Sequence, residues 1–130
     1  MSVELPVDYQ PSPSEDYMNP MQVEYFRRRL QQSRTELLRE LKAIPHIEPD
    51  QTGDQTDQAS ADVDRSFDAV NRARIQKMLH QTEQALVRLE NGTYGFCEDT
   101  GEPIGPKRLM AQPATSLSLE AQQARERRAG

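Results

Sequence analysis

The chain has one cysteine, Cys97, in the stretch GFCEDTGEPIG. A structural zinc site closes with four sulfur or nitrogen ligands at tetrahedral geometry, and thiolates serve it best. Counting from Cys97, a C-x2-C-x17-C-x2-C frame puts the other ligands at 100, 118 and 121. Those positions hold Thr100, Ser118 and Ala121. One thiol, two hydroxyls and a methyl group do not hold zinc. The two histidines, His46 and His80, fall on a hairpin tip and in mid-helix, away from the frame. The expectation is a knuckle of metal-site shape held by packing and hydrogen bonds alone. Cys97 is not read as a nucleophile either, because Glu98 and Asp99 beside it disfavour the thiolate.

A second constellation is acidic. Asp54, Asp57, Asp62 and Asp64 crowd into GDQTDQASADVD. Acids near a helix N-terminus complement its dipole, and that ordinary role is one reading of them. Acids at the end of a long rod also suit delivery into a deep opening of a partner. The spacing lacks the closing glutamate of an EF-hand, so no calcium loop is read. A catalytic carboxylate pair needs a pocket, which a bare tip does not offer, so no enzyme is expected.

The elements that position these groups are helical. In YMNPMQVEYF, Asn19 caps, Pro20 takes the first helical position and Gln22 stands where a capping box has Glu or Gln. Met18 and Val23 are spaced as a hydrophobic staple. Phe26, Leu30, Leu37, Leu41 and Ile44 then form a narrow apolar stripe, interrupted at Ser33 or Arg34, as in a coiled-coil seam. Pro45 and Pro49 end the helix, and PHIEPDQTGDQTDQAS has turn composition. A second helix is expected from about Gln58 to Glu90. Its stripe starts at Val63, Phe67 and Val70, breaks near Asn71 like a stutter, and resumes at Ile75, Leu79, Thr82, Leu86 and Leu89. NGTYG ends it, with Asn91 or Gly92 as the cap.

Two matching stripes and one connection make a long antiparallel coiled-coil hairpin with its tip near 45–59. The expected fold class is mainly α. Residues 1–16, with Pro6, Pro11 and Pro13, read as a flexible or extended arm, and 17–91 as the hairpin. Residues 92–130 read as a small, degenerate, metal-free zinc-finger-like domain with a C-terminal helix. Its candidate core is Tyr94, Phe96, Ile104, Leu109, Met110 and Leu117, its knuckle turns at Gly101, and Ser118 caps the last helix.

Composition agrees with an elongated shape. Of 130 residues, 35% are apolar, 5% aromatic and 28% charged, too little for a large round core. The net charge of −5 suits a basic protein surface better than nucleic-acid phosphate. A lone cysteine fits a reducing compartment, and neither a signal peptide nor a membrane span is legible, so a cytoplasmic protein is expected.

In order along the chain, YMN at 17–19, FRR at 26–28, D-x-x-D-x-A at 54–59, GFCE at 95–98 and GEPIG…RL at 101–109 carry a resemblance. From Glu15 onward the chain resembles the DksA/TraR family of bacterial RNA polymerase regulators. The resemblance implies a monomer that enters the polymerase secondary channel tip first and destabilises open promoter complexes. Ribosomal RNA promoters would be inhibited and some biosynthetic promoters activated, without recognition of promoter DNA. By position, Asp54, Asp57 and Ala59 would act near the polymerase active site, while Asn71 and Arg74 would meet the channel rim. Cys97, Thr100, Ser118 and Ala121 would be former zinc-ligand positions, which looks like a zinc-independent member. Basic positions of the family's ppGpp interface align with Gln81, Gln112 and Gln122, and amides do not neutralise phosphate, so weak ppGpp synergy is expected. The competing reading is a coiled-coil adapter with no role in transcription. It requires neither the tip motif nor the knuckle frame.

Overall fold

A computed structural model describes residues 3–45 and 55–129, with side chains in the second segment described from Asp62 onward. Among the described residues four helices follow in order: α1 (Pro20–Ala43), α2 (Gln55–Asn91), α3 (Pro106–Ala111) and α4 (Leu119–Ala129). The fold is mainly α, and α1 and α2 form the antiparallel hairpin.

The start of α1 follows its sequence signals. The Asn19 carboxamide oxygen accepts from the N–H groups of Met21 at 2.9 Å and Gln22 at 3.0 Å, satisfying donors that a helix start leaves open. Gln22, fully buried, reaches back past the cap to accept from the Met18 N–H at 2.8 Å, whereas the Asn19 N–H that a capping box would satisfy donates to the Asp16 carbonyl at 3.2 Å. Met18 and Val23 both pack against the main cluster, as a staple does. Glu24 is a buried acid one turn on, gripped by Arg27 at 3.0 Å and Arg28 at 2.8 Å. The guanidiniums outweigh the burial that would raise its carboxyl, and hold it below the usual range.

The seam buries Phe26, Leu30 and Leu37 of α1 against Ile75, Thr82, Ala85 and Leu89 of α2. Thr82 is tolerated there because its hydroxyl donates to the Met78 carbonyl at 2.9 Å. Register is visible in two cross-hairpin contacts, Arg34 to Glu83 at 3.7 Å and Arg72 to the Pro45 carbonyl at 3.4 Å. α1 therefore ends opposite Arg72. This corrects one expectation: Val63, Phe67 and Val70 are not seam residues but stay 68%, 71% and 70% exposed. No turn of α1 remains at their level to cover them.

The described residues before α1 contain turns but no helix, in keeping with their prolines, and they are docked along the hairpin. The Val3 carbonyl accepts from Arg28 at 2.9 Å, Pro11 is buried, and Tyr9 meets Tyr25 edge to face at 6.0 Å. Tyr17 then ties hairpin to knuckle. Its hydroxyl donates to the Gly95 carbonyl at 2.5 Å and accepts from the Gly105 N–H at 2.9 Å. Gly95 has φ +93°, and a Cβ there would meet Met18 Sδ at 2.9 Å, so this junction admits glycine only.

Beyond α2 an isolated antiparallel bridge pairs Phe96 with Pro103 around the knuckle turn, where Gly101 takes φ +75°. Tyr94 and Leu109 are buried, Ile104 and Met110 are half-buried against them, and Phe96 remains 38% exposed. Helix α3, absent from the sequence expectation, is one short stretch whose start rests on Pro106. Ser118 caps α4 as expected, its hydroxyl accepting from the Ala121 N–H at 3.1 Å.

Candidate functional site

Three places carry the residues singled out above. The first is the knuckle. Cys97 is buried in a loop closed by its own N–H donating to the Glu102 carbonyl at 2.7 Å and by Gly101 donating to the Cys97 carbonyl at 2.8 Å. Thr100 and Ser118 both turn hydrogen-bond donors on its sulfur. Ala121 lies buried one helical turn beyond Ser118. Two frame positions, Thr100 and Ser118, therefore meet the sulfur of the first, and they bring the donor chemistry of hydroxyls and amides, while Ala121 is tied to Ser118. Zinc asks for four strong ligands. Among the described residues no three His, Cys, Asp or Glu side chains gather as a metal site would need. The residues present do not fit zinc.

The same geometry corrects the reading of Cys97 acidity. Burial pushes the thiol up, but the backbone and side-chain donors of Ser118 and Thr100 together outweigh it and bring it down to about 6. Glu98 and Asp99 do not oppose this as their sequence position suggested. Arg125 of α4 holds both, donating to Asp99 at 2.8 Å and standing 3.8 Å from Glu98. Ser118, some twenty positions away in sequence, and Thr100 across the knuckle turn decide the charge here, so the adjacent letters misled.

The second place is a groove of about 980 Å³ between the hairpin and the finger. Gln81 of α2, Gln112 after α3 and Gln122 of α4 all line it, so the fold gathers three residues picked from sequence alone. Arg88 lines it too, half-buried, its guanidinium pushed down by desolvation and only 3.4–3.5 Å from the carbonyls of Ala114 and Thr115. Arg108 of α3 donates to the Gln122 carboxamide and, at 2.9 Å, to the Leu117 carbonyl. Arg88 was not singled out from sequence, and Arg108, noted there within GEPIG…RL, gave no sign of its bond to Gln122 because α3 is too short to show a helical period.

The third place is the far part of α2. Asp57 and Ala59 lie in its first turns, while Asp54 and His46 lie outside the described residues. Asn71 and Arg74 are joined on one face, Arg74 donating to the Asn71 carboxamide at 2.8 Å and approaching Met78 Sδ at 3.4 Å.

A coiled-coil hairpin whose base is locked to a zinc-finger-like knuckle defines the class of this protein. Residues 22–89 match the family described as DnaK suppressor protein DksA, N-terminal domain, and 92–127 match the prokaryotic dksA/traR C4-type zinc finger. The chain belongs to the DksA family. It is 44% identical over 124 residues to the RNA polymerase-binding transcription factor DksA of Caulobacter vibrioides, covering 93% of this chain and 87% of that protein. Against the protein of the same name in Escherichia coli K12 it is 33% identical, over 86% of this chain and 76% of that one. The solved structure of transcription factor DksA2 from Pseudomonas aeruginosa superposes with a TM-score of 0.71 at 33% identity, covering 89% of this chain and 93% of that one. The C4 motif of the matched finger is reduced here to its first cysteine.

Proposed function

We propose that this protein is a transcription regulator that binds RNA polymerase directly and works without zinc. The observation that carries this reading is the 44% identity, across hairpin and finger together, to a protein named for binding RNA polymerase. In this reading the hairpin enters the secondary channel tip first, with Asp54, Asp57 and Ala59 near the active site and Asn71 with Arg74 at the rim. Open promoter complexes lose stability, so ribosomal RNA promoters are inhibited and some biosynthetic promoters activated. The protein acts as a cytoplasmic monomer and reads no promoter DNA. Two features support it: α2, at 37 residues, rises about 55 Å and runs past the end of α1, and the knuckle is closed by hydrogen bonds.

The test is multi-round transcription from a ribosomal RNA promoter by purified polymerase in the presence of a zinc chelator. The expected result is a several-fold drop in transcript with the wild type. Asp57→Asn should bind polymerase equally well and lose most of that effect. Equal inhibition by both proteins would refute the tip's role, and restoration of transcript by the chelator would refute zinc independence.

We further propose that ppGpp adds little to this inhibition. The Gln81 and Gln112 amides offer hydrogen bonds but no charge to a polyphosphate. Gln81→Lys combined with Gln112→Lys should strengthen the synergy several-fold in the same assay. Gln122 is a poorer third site, because a lysine there would face the Arg108 guanidinium that its carboxamide now accepts from. Unchanged synergy in the double variant would refute the assignment of the groove.

A further inference from the structure

The far half of α2 carries a bare apolar ridge. Val63, Phe67 and Val70 recur at helical spacing and stay 68%, 71% and 70% exposed. The ridge continues through Arg74, which reaches to Asn71 and Met78, and Met78 is itself 40% exposed. Single exposed apolar residues mean little, but a contiguous set around an aromatic marks a surface that meets something. α1 does not cover it, since α1 ends opposite Arg72.

Charge and size narrow the occupant. Residues 55–70 carry Asp57, Asp62, Asp64 and Asp68 against Arg65 alone, so the ridge is apolar with a mostly acidic border. Its complement is an apolar patch edged by Lys and Arg. A second copy of the chain would bring the same acidic border against itself. Three side chains also fall far short of the ~800 Å² that each partner contributes to a stable interface. A narrow ridge is instead suited to insertion into a larger concave surface, with Phe67 as the central anchor and charges as the rim. Enzymes that handle polyanionic chains present Lys and Arg for them.

We infer that the Val63–Phe67–Val70 ridge is the surface by which this chain grips RNA polymerase, seated on an apolar patch bordered by basic side chains. The inference rests on polymerase being the partner, as proposed above. It adds that affinity comes from the side of α2, separately from any effect of the tip.

The experiment titrates the fluorescently labelled full chain with RNA polymerase core enzyme, for wild type, Phe67→Ser and Val63→Ser. Circular dichroism, thermal unfolding and sedimentation of the free proteins accompany it. The expected result is binding weakened about tenfold or more by Phe67→Ser, the scale of an interface anchor, and less by Val63→Ser. Helicity and unfolding midpoint should stay near wild type in both. Equal binding by wild type and both variants would overturn the ridge while leaving the proposed function standing. A marked fall in unfolding midpoint with unchanged binding would mean the ridge is covered from within the chain. A wild-type dimer that Phe67→Ser dissociates would mean a second copy covers it, and either finding overturns the inference. Absence of wild-type binding would overturn the proposed function and this inference together.

Discussion

Phe26→Ala is expected to lower the free energy of unfolding by about 3–5 kcal/mol, the cost of emptying a large aromatic from a closed core. Phe26 has no exposed surface and sits where four parts of the chain meet. Leu30 flanks it on α1, Ala85 and Leu89 face it from α2, Tyr94 packs on it from the finger, and Leu109 comes from α3. Its ring lies 5.2 Å from Tyr25 edge to face and 5.7 Å from Tyr94. Hairpin and finger therefore share one small core, and the cavity left by alanine has rigid walls on every side. A domain with a total of about 5–15 kcal/mol loses a large fraction at once. Thermal unfolding should shift down by roughly 10–20 °C, and urea unfolding should give the free-energy change directly. Phe67→Ala is the internal comparison: the same substitution at an exposed position should stay within about 0.5 kcal/mol of wild type. Similar losses at the two positions would mean that the far ridge is also part of a closed core.

What the residues reveal directly is whatever depends on local chemistry. The start of α1 is legible because Asn19, Pro20 and the Met18–Val23 pair do what their types do elsewhere, while Gln22 bonds the N–H one residue before the cap. The seam from Phe26 to Leu37 is legible because its period is regular. Val63, Phe67 and Val70 show why period alone is insufficient. They have the spacing of a seam, but burial also needs a partner helix at the same height, and α1 stops short. The docking of the proline-rich start is illegible for a related reason: Tyr9, Pro11 and Tyr17 act on residues distant in sequence. Helix α3 spans too few residues for a period, although Pro106 marks its first position.

The site was legible to different depths. The ligand count at Cys97, Thr100, Ser118 and Ala121 needs only the sequence, and the fold brings those positions together. That Gln81, Gln112 and Gln122 share a groove requires the finger to fold back against the hairpin. The Tyr17 hydroxyl, bonded to both Gly95 and Gly105, and the Tyr94 hydroxyl, bonded to the Pro113 carbonyl at 2.8 Å, fix that arrangement. In the metal-free reading proposed above, hydrogen bonds and a shared aromatic core do in this finger what a metal ion does in a zinc-bound one.

The acidity of Cys97 gives that substitution a measurable signature. In the folded protein the thiol sits at about 6, against an ordinary value of 9.0. Between these values the unfolded chain holds a proton that the folded chain has released. Folding stability therefore rises with pH across that interval, is complete above about 9, and is lost on acidification through about 6. Each pH unit of difference is worth about 1.4 kcal/mol at most, so the gain from pH 6 to 9 is on the order of a few kcal/mol. Urea unfolding of wild type and Cys97→Ser, in reductant and chelator, should show a wild-type advantage that grows along this interval. Serine does not titrate there, so the difference between the proteins isolates the thiol from every other group. Parallel pH dependences would mean that burial wins over the Ser118 and Thr100 donors and the thiol stays neutral. A slope that appears only when the chelator is omitted would mean that a metal, not those donors, draws the proton from the sulfur. The expected slope in the chelator's presence is what a knuckle held by N–H and O–H groups on a bare thiolate requires.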